Sequence, residues 1–156
     1  MRLKEVEDVI DGYNGVSRKV LDYSLIMKRM VDDAKQPGFC LESWQPLNEL
    51  AALVDVDGFE RVGNFKEVMN WQEYTNFLIN WAPTADWECS FKRITERGNV
   101  VILELEERTA AESYSSVVNS LSVYEFNEAG KIEHLDIYLQ MELPPAELLQ
   151  SYEGVV

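Results

Sequence analysis

Histidine occurs once, at His134, and cysteine twice, at Cys40 and Cys89, in a chain of 156 residues. That set cannot build a Cys/His zinc site, and no Asp/Glu spacing resembles a calcium-binding loop, so no metal is expected. Basic residues are scarce too: 14 Lys and Arg stand against 28 Asp and Glu, giving a formal net charge of −14 and a pI near 4.4. Nucleic acid and anionic membranes need Lys and Arg clusters to meet their phosphates, and such clusters are missing. Acidity in itself reads as a solubility feature rather than as a sign of a particular substrate. No run of about 18 apolar residues exists to span a bilayer. The opening Met-Arg-Leu-Lys-Glu-Val-Glu-Asp lacks the apolar core of a signal peptide. A cytoplasmic protein with both thiols reduced is the expectation.

What the chain does have is apolar content for one core, 46% of its residues. One domain over residues 1–156 is expected, with its core at 16–143 and a C-terminal tail at 144–156. Leu3, Val6, Val9, Ile10 and Tyr13 follow helical spacing, and Gly12 and Gly15 mark a stop. The pattern resumes at Ser17 through Val20, Leu21, Leu25, Met27 and Met30 to about Ala34, before the turn signal Gln36-Pro37-Gly38. Ser43 can cap a third helix that tolerates Pro46 in its first turn and buries Leu47, Leu50, Ala51 and Val54. A strand is expected at Phe59–Val62. Asn70 with Glu73 forms a capping-box variant that opens a helix to Trp81, with Trp71, Tyr74, Phe77, Leu78 and Trp81 as a stripe. That stripe, like Met27, serves either as plain core or as a pocket wall.

Strands dominate the second half. Trp87–Glu96 and Val100–Thr109 are joined by a tight turn at Arg97-Gly98-Asn99. In the second of these, Val101, Leu103 and Leu105 alternate with Ile102, Glu104, Glu106 and Arg108, one face dry and one wet. Ser113 to Leu143 reads as a long hairpin turning at Asn127-Glu128-Ala129-Gly130. Val117, Asn119, Leu121 and Val123 share one side of its first strand, and Leu135, Ile137 and Leu139 share one side of its second. Asn119 is the polar interruption in an apolar row.

The order of helices, the strand ending Phe59-Glu60-Arg61-Val62-Gly63, the helix at Asn70–Trp81 and the closing run Phe126-Asn-Glu-Ala-Gly-Lys-Ile132 resembles the nuclear transport factor 2-like superfamily. That superfamily includes ketosteroid isomerase and the SnoaL-like polyketide cyclases, and the resemblance covers roughly Val16 to Leu143. It implies an α+β fold, a cone-shaped barrel in which a strongly curved antiparallel or mixed sheet wraps around N-terminal helices. It further implies a pocket for a small, largely apolar, ring-containing molecule, and isomerase, cyclase or dehydratase chemistry that needs no cofactor. The alternative is a non-catalytic ligand-binding or dimeric interaction module. A homodimer through the outer sheet face is expected from the same resemblance.

Residue by residue, the resemblance places Glu60 at the general-base carboxylate of ketosteroid isomerase and Asn119 at its oxyanion-binding acid. Tyr23, with Tyr13 second, is the candidate for its tyrosine donor. A partly desolvated carboxylate has a raised pKa, which suits a general base, and an amide donates a hydrogen bond at any pH. The bland readings are a solvated Glu60 paired with Arg61 or Lys66, an Asn119 that satisfies a bulge, and a Tyr23 that packs between helices. Met27, Trp71, Tyr74, Phe77, Trp81, Leu103, Leu121, Leu135 and Ile137 are the expected pocket lining. Glu133-His134-Leu135-Asp136 looks like the acid/base run of SnoaL-like cyclases, yet alternation puts His134 and Asp136 opposite Leu135 and Ile137, on the outer face. Epoxide hydrolysis, as in limonene epoxide hydrolase-like relatives, would need an Asp-Arg-Asp set, for which Arg93 is the mid-strand candidate, with no clear partners.

Overall fold

The computed structural model describes residues 2–111 and 114–142. The expected tail at 144–156 and part of the Ala110–Ser113 connector lie outside the described residues. Helix α1 (Val6–Val9) runs into a 3-10 turn at Ile10–Gly12, shorter than the Leu3–Tyr13 periodicity predicts. Lys4 accounts for the difference, because it exchanges backbone hydrogen bonds with Phe91 and is held extended. Helix α2 (Gly15–Asp33) buries Val20, Leu21, Tyr23, Ser24, Met30 and Val31 along one face. Ser43 does not cap α3 (Gln45–Ala51). It closes a preceding 3-10 turn at Leu41–Ser43, its hydroxyl donating to the Cys40 carbonyl oxygen at 3.3 Å, and Trp44 takes the cap position.

Strand β1 (Glu60–Val62) turns at Gly63 into β2 (Val68–Met69). Asn70 then opens α4 (Trp71–Trp81) with a complete capping box. Its side-chain oxygen accepts from the Glu73 amide at 2.9 Å, and the Glu73 carboxylate accepts from the Asn70 amide at 3.1 Å. The remaining strands are long: β3 (Asp86–Arg97), β4 (Val100–Ala111), β5 (Tyr114–Phe126) and β6 (Ile132–Gln140). The β5–β6 connection depends on Gly130, whose φ of 74° is costly for any residue with a Cβ.

The six strands form one mixed sheet in the order β2-β1-β6-β5-β4-β3, antiparallel throughout except for the parallel β1–β6 pair. The sheet does not close, and the fold is the expected cone-shaped α+β arrangement, with β2 and β3 as its outermost strands and Lys4 bridged to β3 at Phe91. Register fixes which side chains share the inner face. Arg61 stands opposite Leu135, Leu135 opposite Tyr124, and Tyr124 opposite Val101. Leu103 is opposite Ser122, which is opposite Ile137. A bulge between Phe91 and Arg93 takes Lys92 out of step, so that Phe91 and Ile94 both lie in line with the Leu105 and Leu103 row. The inner row of β5 is accordingly Val118, Ser120, Ser122, Tyr124 and Phe126, all buried. Val117, Asn119, Leu121 and Val123 do share one side, and it is the outer one.

Candidate functional site

Between this inner face and helices α2 and α4 lies a cavity of about 250 Å³. It exists because small residues occupy central positions of the inner row: Ser122 lines it from the sheet, where a leucine would fill it. Helix α2 contributes Tyr23, Ser24 and Met27, helix α4 contributes Tyr74, Phe77, Leu78 and Trp81, and the sheet adds Leu105, Tyr124, Leu135, Ile137 and Leu139. The aromatic stripe of α4 is therefore a wall. Phe59, Tyr74, Phe77, Trp81 and Trp87 follow one another at centroid separations of 5.9 to 6.4 Å.

Two charged residues line this wall, Arg61 from β1 and Glu107 from β4, the single cation and single acid of the cavity among the described residues. The Arg61 guanidinium lies over the Tyr74 ring, 5.0 Å from its centroid, and 6.0 Å from that of Phe77. Its side chain is only 15% exposed, and Nε is buried without a hydrogen-bond partner. The nearest carboxylate, Glu67, stands 3.8 Å from Nη1, an ion pair too long for a hydrogen bond. Burial raises the pKa of Glu107 above the usual carboxylate range, partly offset by the neighbouring Ser120 hydroxyl, the Arg61 charge and the Trp87 indole.

The other polar groups are the hydroxyls of Ser24, Thr109 and Ser122 and three tyrosines. The Tyr23 and Tyr74 hydroxyls share a hydrogen bond of 2.8 Å, and Tyr23 meets Tyr124 edge-on at 5.6 Å between centroids. Burial, reinforced by the neighbouring tyrosines, pushes Tyr23 well above its ordinary pKa. Tyr124 is raised chiefly by burial, with Tyr74 and Glu107 adding to it. Both stay protonated and available as donors. Cys89 is pushed up to about 12 by burial and is no nucleophile.

The expected site residues divide cleanly. Tyr23, Met27, Tyr74, Phe77, Trp81, Leu135 and Ile137 line the cavity. Leu103 is buried in the core without lining it, and Trp71 packs edge-on against Phe59 behind the wall. Glu60, Asn119 and Leu121 are not among the residues that line the cavity. Glu60 pairs with His134 across β1–β6, its side chain 53% exposed, because the parallel register turns Arg61 inward instead. Asn119 accepts from Lys92 and donates to Gln140 at 2.9 Å on the outer face. His134 and Asp136 are on that face too, 3.0 Å apart, with Glu60 Oε1 3.4 Å from the other ring nitrogen. Arg93 is held by Glu104, its Nη2 2.8 Å from Oε1, away from the cavity. Tyr13, the second tyrosine candidate, packs against Phe91, with ring centroids 6.3 Å apart, and is not among the lining residues. Among the described residues no group of three or more His, Cys, Asp or Glu side chains is placed to hold a metal ion.

Glu107 and Arg61 are the residues that sequence reasoning passed over. Glu107 extends the dry alternation Val101, Leu103, Leu105 by one step, so its inward position was available from the pattern. Arg61 carried no such signal.

No protein-family model matches the chain, and no curated protein matches it. Solved structures do. An NTF2-like protein of unknown function from Cytophaga hutchinsonii is 12% identical, covering 82% of this chain and 92% of that one at a TM-score of 0.56. This chain has the nuclear transport factor 2-like fold. A steroid delta-isomerase from Pseudomonas aeruginosa shares that fold at 12% identity, with 89% of this chain and 86% of that one covered and a TM-score of 0.54. So does an LEH-like epoxide hydrolase from M. tuberculosis, at 15% identity, 74% and 84% coverage and a TM-score of 0.53. Nuclear transport factor 2-like folds thus support an isomerase and a hydrolase alike, so the fold by itself assigns no activity.

Proposed function

We propose that the chain binds a small, largely apolar, ring-containing molecule in the cavity and moves a proton next to its carbonyl group, with Glu107 as the acid/base and the Tyr23 hydroxyl donating to the carbonyl oxygen. The observation that carries this reading is the juxtaposition, on one apolar wall, of a carboxyl with a raised pKa and buried phenol donors. A raised carboxyl pKa brings the group nearer to neutrality, where it can both take and return a proton. The phenols remain protonated and can stabilise a developing enolate oxygen. The volume, at the lower edge of small-molecule sites, favours one or two rings.

The test is exchange of the α-protons of 1-tetralone in D2O, followed by NMR. The chain is expected to accelerate exchange over buffer, and Glu107→Gln to lose about 10²- to 10⁴-fold of that acceleration. Binding of the ketone without acceleration would make the chain a non-catalytic binder. Equal rates for parent and Glu107→Gln would remove Glu107 from the mechanism.

A homodimer through the outer sheet face belongs to the same proposal. That face leaves Val117 and Tyr138 about half exposed, with Leu121 paired to Tyr138 beside them. Sedimentation of the parent should give a dimer, and Tyr138→Glu a monomer; a monomeric parent would end this reading.

A further inference from the structure

Arg61 is an unusual occupant of an apolar wall. Its Nε is buried without a hydrogen-bond partner, and the Glu67 carboxylate beside it is 3.8 Å away and itself 39% exposed. With its guanidinium over the Tyr74 ring and Nε unpartnered, Arg61 keeps an N–H donor that can still bind something. An unpaired buried donor costs free energy, and a carboxylate satisfies a guanidinium with two parallel charge-assisted hydrogen bonds. Among the described residues the cavity offers no competing cation, while the protein as a whole carries a formal net charge of −14 that gives an anion no other reason to come.

From the unpartnered Nε of Arg61, its position over the Tyr74 ring and its place on the cavity wall, we propose that the ligand is a ring-containing acid whose carboxylate is held by this guanidinium. The proposal rests on the reading that the cavity binds a small molecule, and it narrows the substrate class to an oxo acid. Arg61 is the residue that sets specificity, placing the ring against Tyr74, Phe77 and Trp81, with Glu107 and Tyr23 lining the same cavity.

The experiment compares 2-naphthoate with its neutral counterpart, 2-naphthamide, by calorimetric titration of the parent, Arg61→Met and Arg61→Lys. The parent should bind the acid at least about tenfold more tightly than the amide. Arg61→Met should erase that preference with its affinity for the amide kept within a few-fold, and Arg61→Lys should retain part of it. In the parent, the Arg61 Nε–H NMR signal should shift with naphthoate and stay in place with naphthamide, a readout that does not depend on either variant folding. Equal affinity of the parent for both probes, a preference that survives in folded Arg61→Met, or a stationary Nε–H signal would each overturn the role of Arg61, with the cavity reading left standing. If neither probe binds the parent, the cavity reading falls and this proposal falls with it.

Discussion

Glu60 and His134 face each other across the parallel β1–β6 pair, the carboxylate 3.4 Å from the imidazole Nδ1 on the outer side of the sheet. Side chains alternate along a strand, so this one pairing decides that the next residue, Arg61, points into the cavity. This parallel strand pair thus exchanges an expected catalytic acid for a cation.

Replacing Glu60 should consequently do little. Glu60→Gln is expected to leave ketone and naphthoate binding within about twofold, and to change urea-unfolding stability by no more than about 1 kcal/mol, as for a half-exposed polar contact. A large loss of binding would bring Glu60 back into the site.

Glu107 should make stability depend on pH in a definite direction. Its folded-state pKa is raised, so above the ordinary carboxylate value the folded state holds a proton that the unfolded state has released. Stability therefore falls as pH rises through the raised pKa, and the penalty vanishes below the unfolded value. Urea midpoints of parent and Glu107→Gln, compared from about pH 4 upward to about pH 8, should show the variant gaining on the parent as pH increases above the ordinary carboxylate value. The comparison cancels the general repulsion of an acidic chain, which both proteins share.

Ser122 keeps the cavity open. Ser122→Leu should place its side chain in that space, abolish binding of the naphthalene probes and leave a cooperative unfolding transition, with a stability change of about 1–3 kcal/mol if the fit is imperfect. Unimpaired binding would show that the probes sit elsewhere.

The Tyr23 hydroxyl is bonded to Tyr74 and both rings are buried. Tyr23→Phe leaves the Tyr74 hydroxyl without that partner and is expected to cost about 1–2 kcal/mol in urea unfolding. It should also slow tetralone exchange more than it weakens tetralone binding, since the donor acts on the developing oxyanion.

The capping box makes a prediction about the wall rather than the chemistry. Asn70→Ala removes the acceptor of the Glu73 amide at the start of α4, at a cost of about 1 kcal/mol. Because that helix carries Tyr74, Phe77 and Trp81, probe affinity should weaken together with stability.

Local chemistry wrote much of this protein directly. The Asn70–Glu73 cap, the spacing of α2 and α4, the Gly98 and Gly130 turns and the alternation of β4 are interactions among residues a few positions apart, and a linear reading captures them. The same holds for His134 and Asp136, whose outer position follows from period two once Leu135 and Ile137 are taken as inward. β5 had no such anchor. Its rows Val117, Asn119, Leu121, Val123 and Val118, Ser120, Ser122, Tyr124 are both mixed, and the more apolar one lies outside. Pairing with the Val101, Leu103 and Leu105 row of β4 selects the serine-bearing row for the interior, where small side chains leave room for a cavity. Arg61 was beyond reach for the same reason, since a three-residue strand carries too little alternation to orient itself. Its direction comes from β6, more than 70 positions later in the chain, through hydrogen bonds that exist only once the two strands have met.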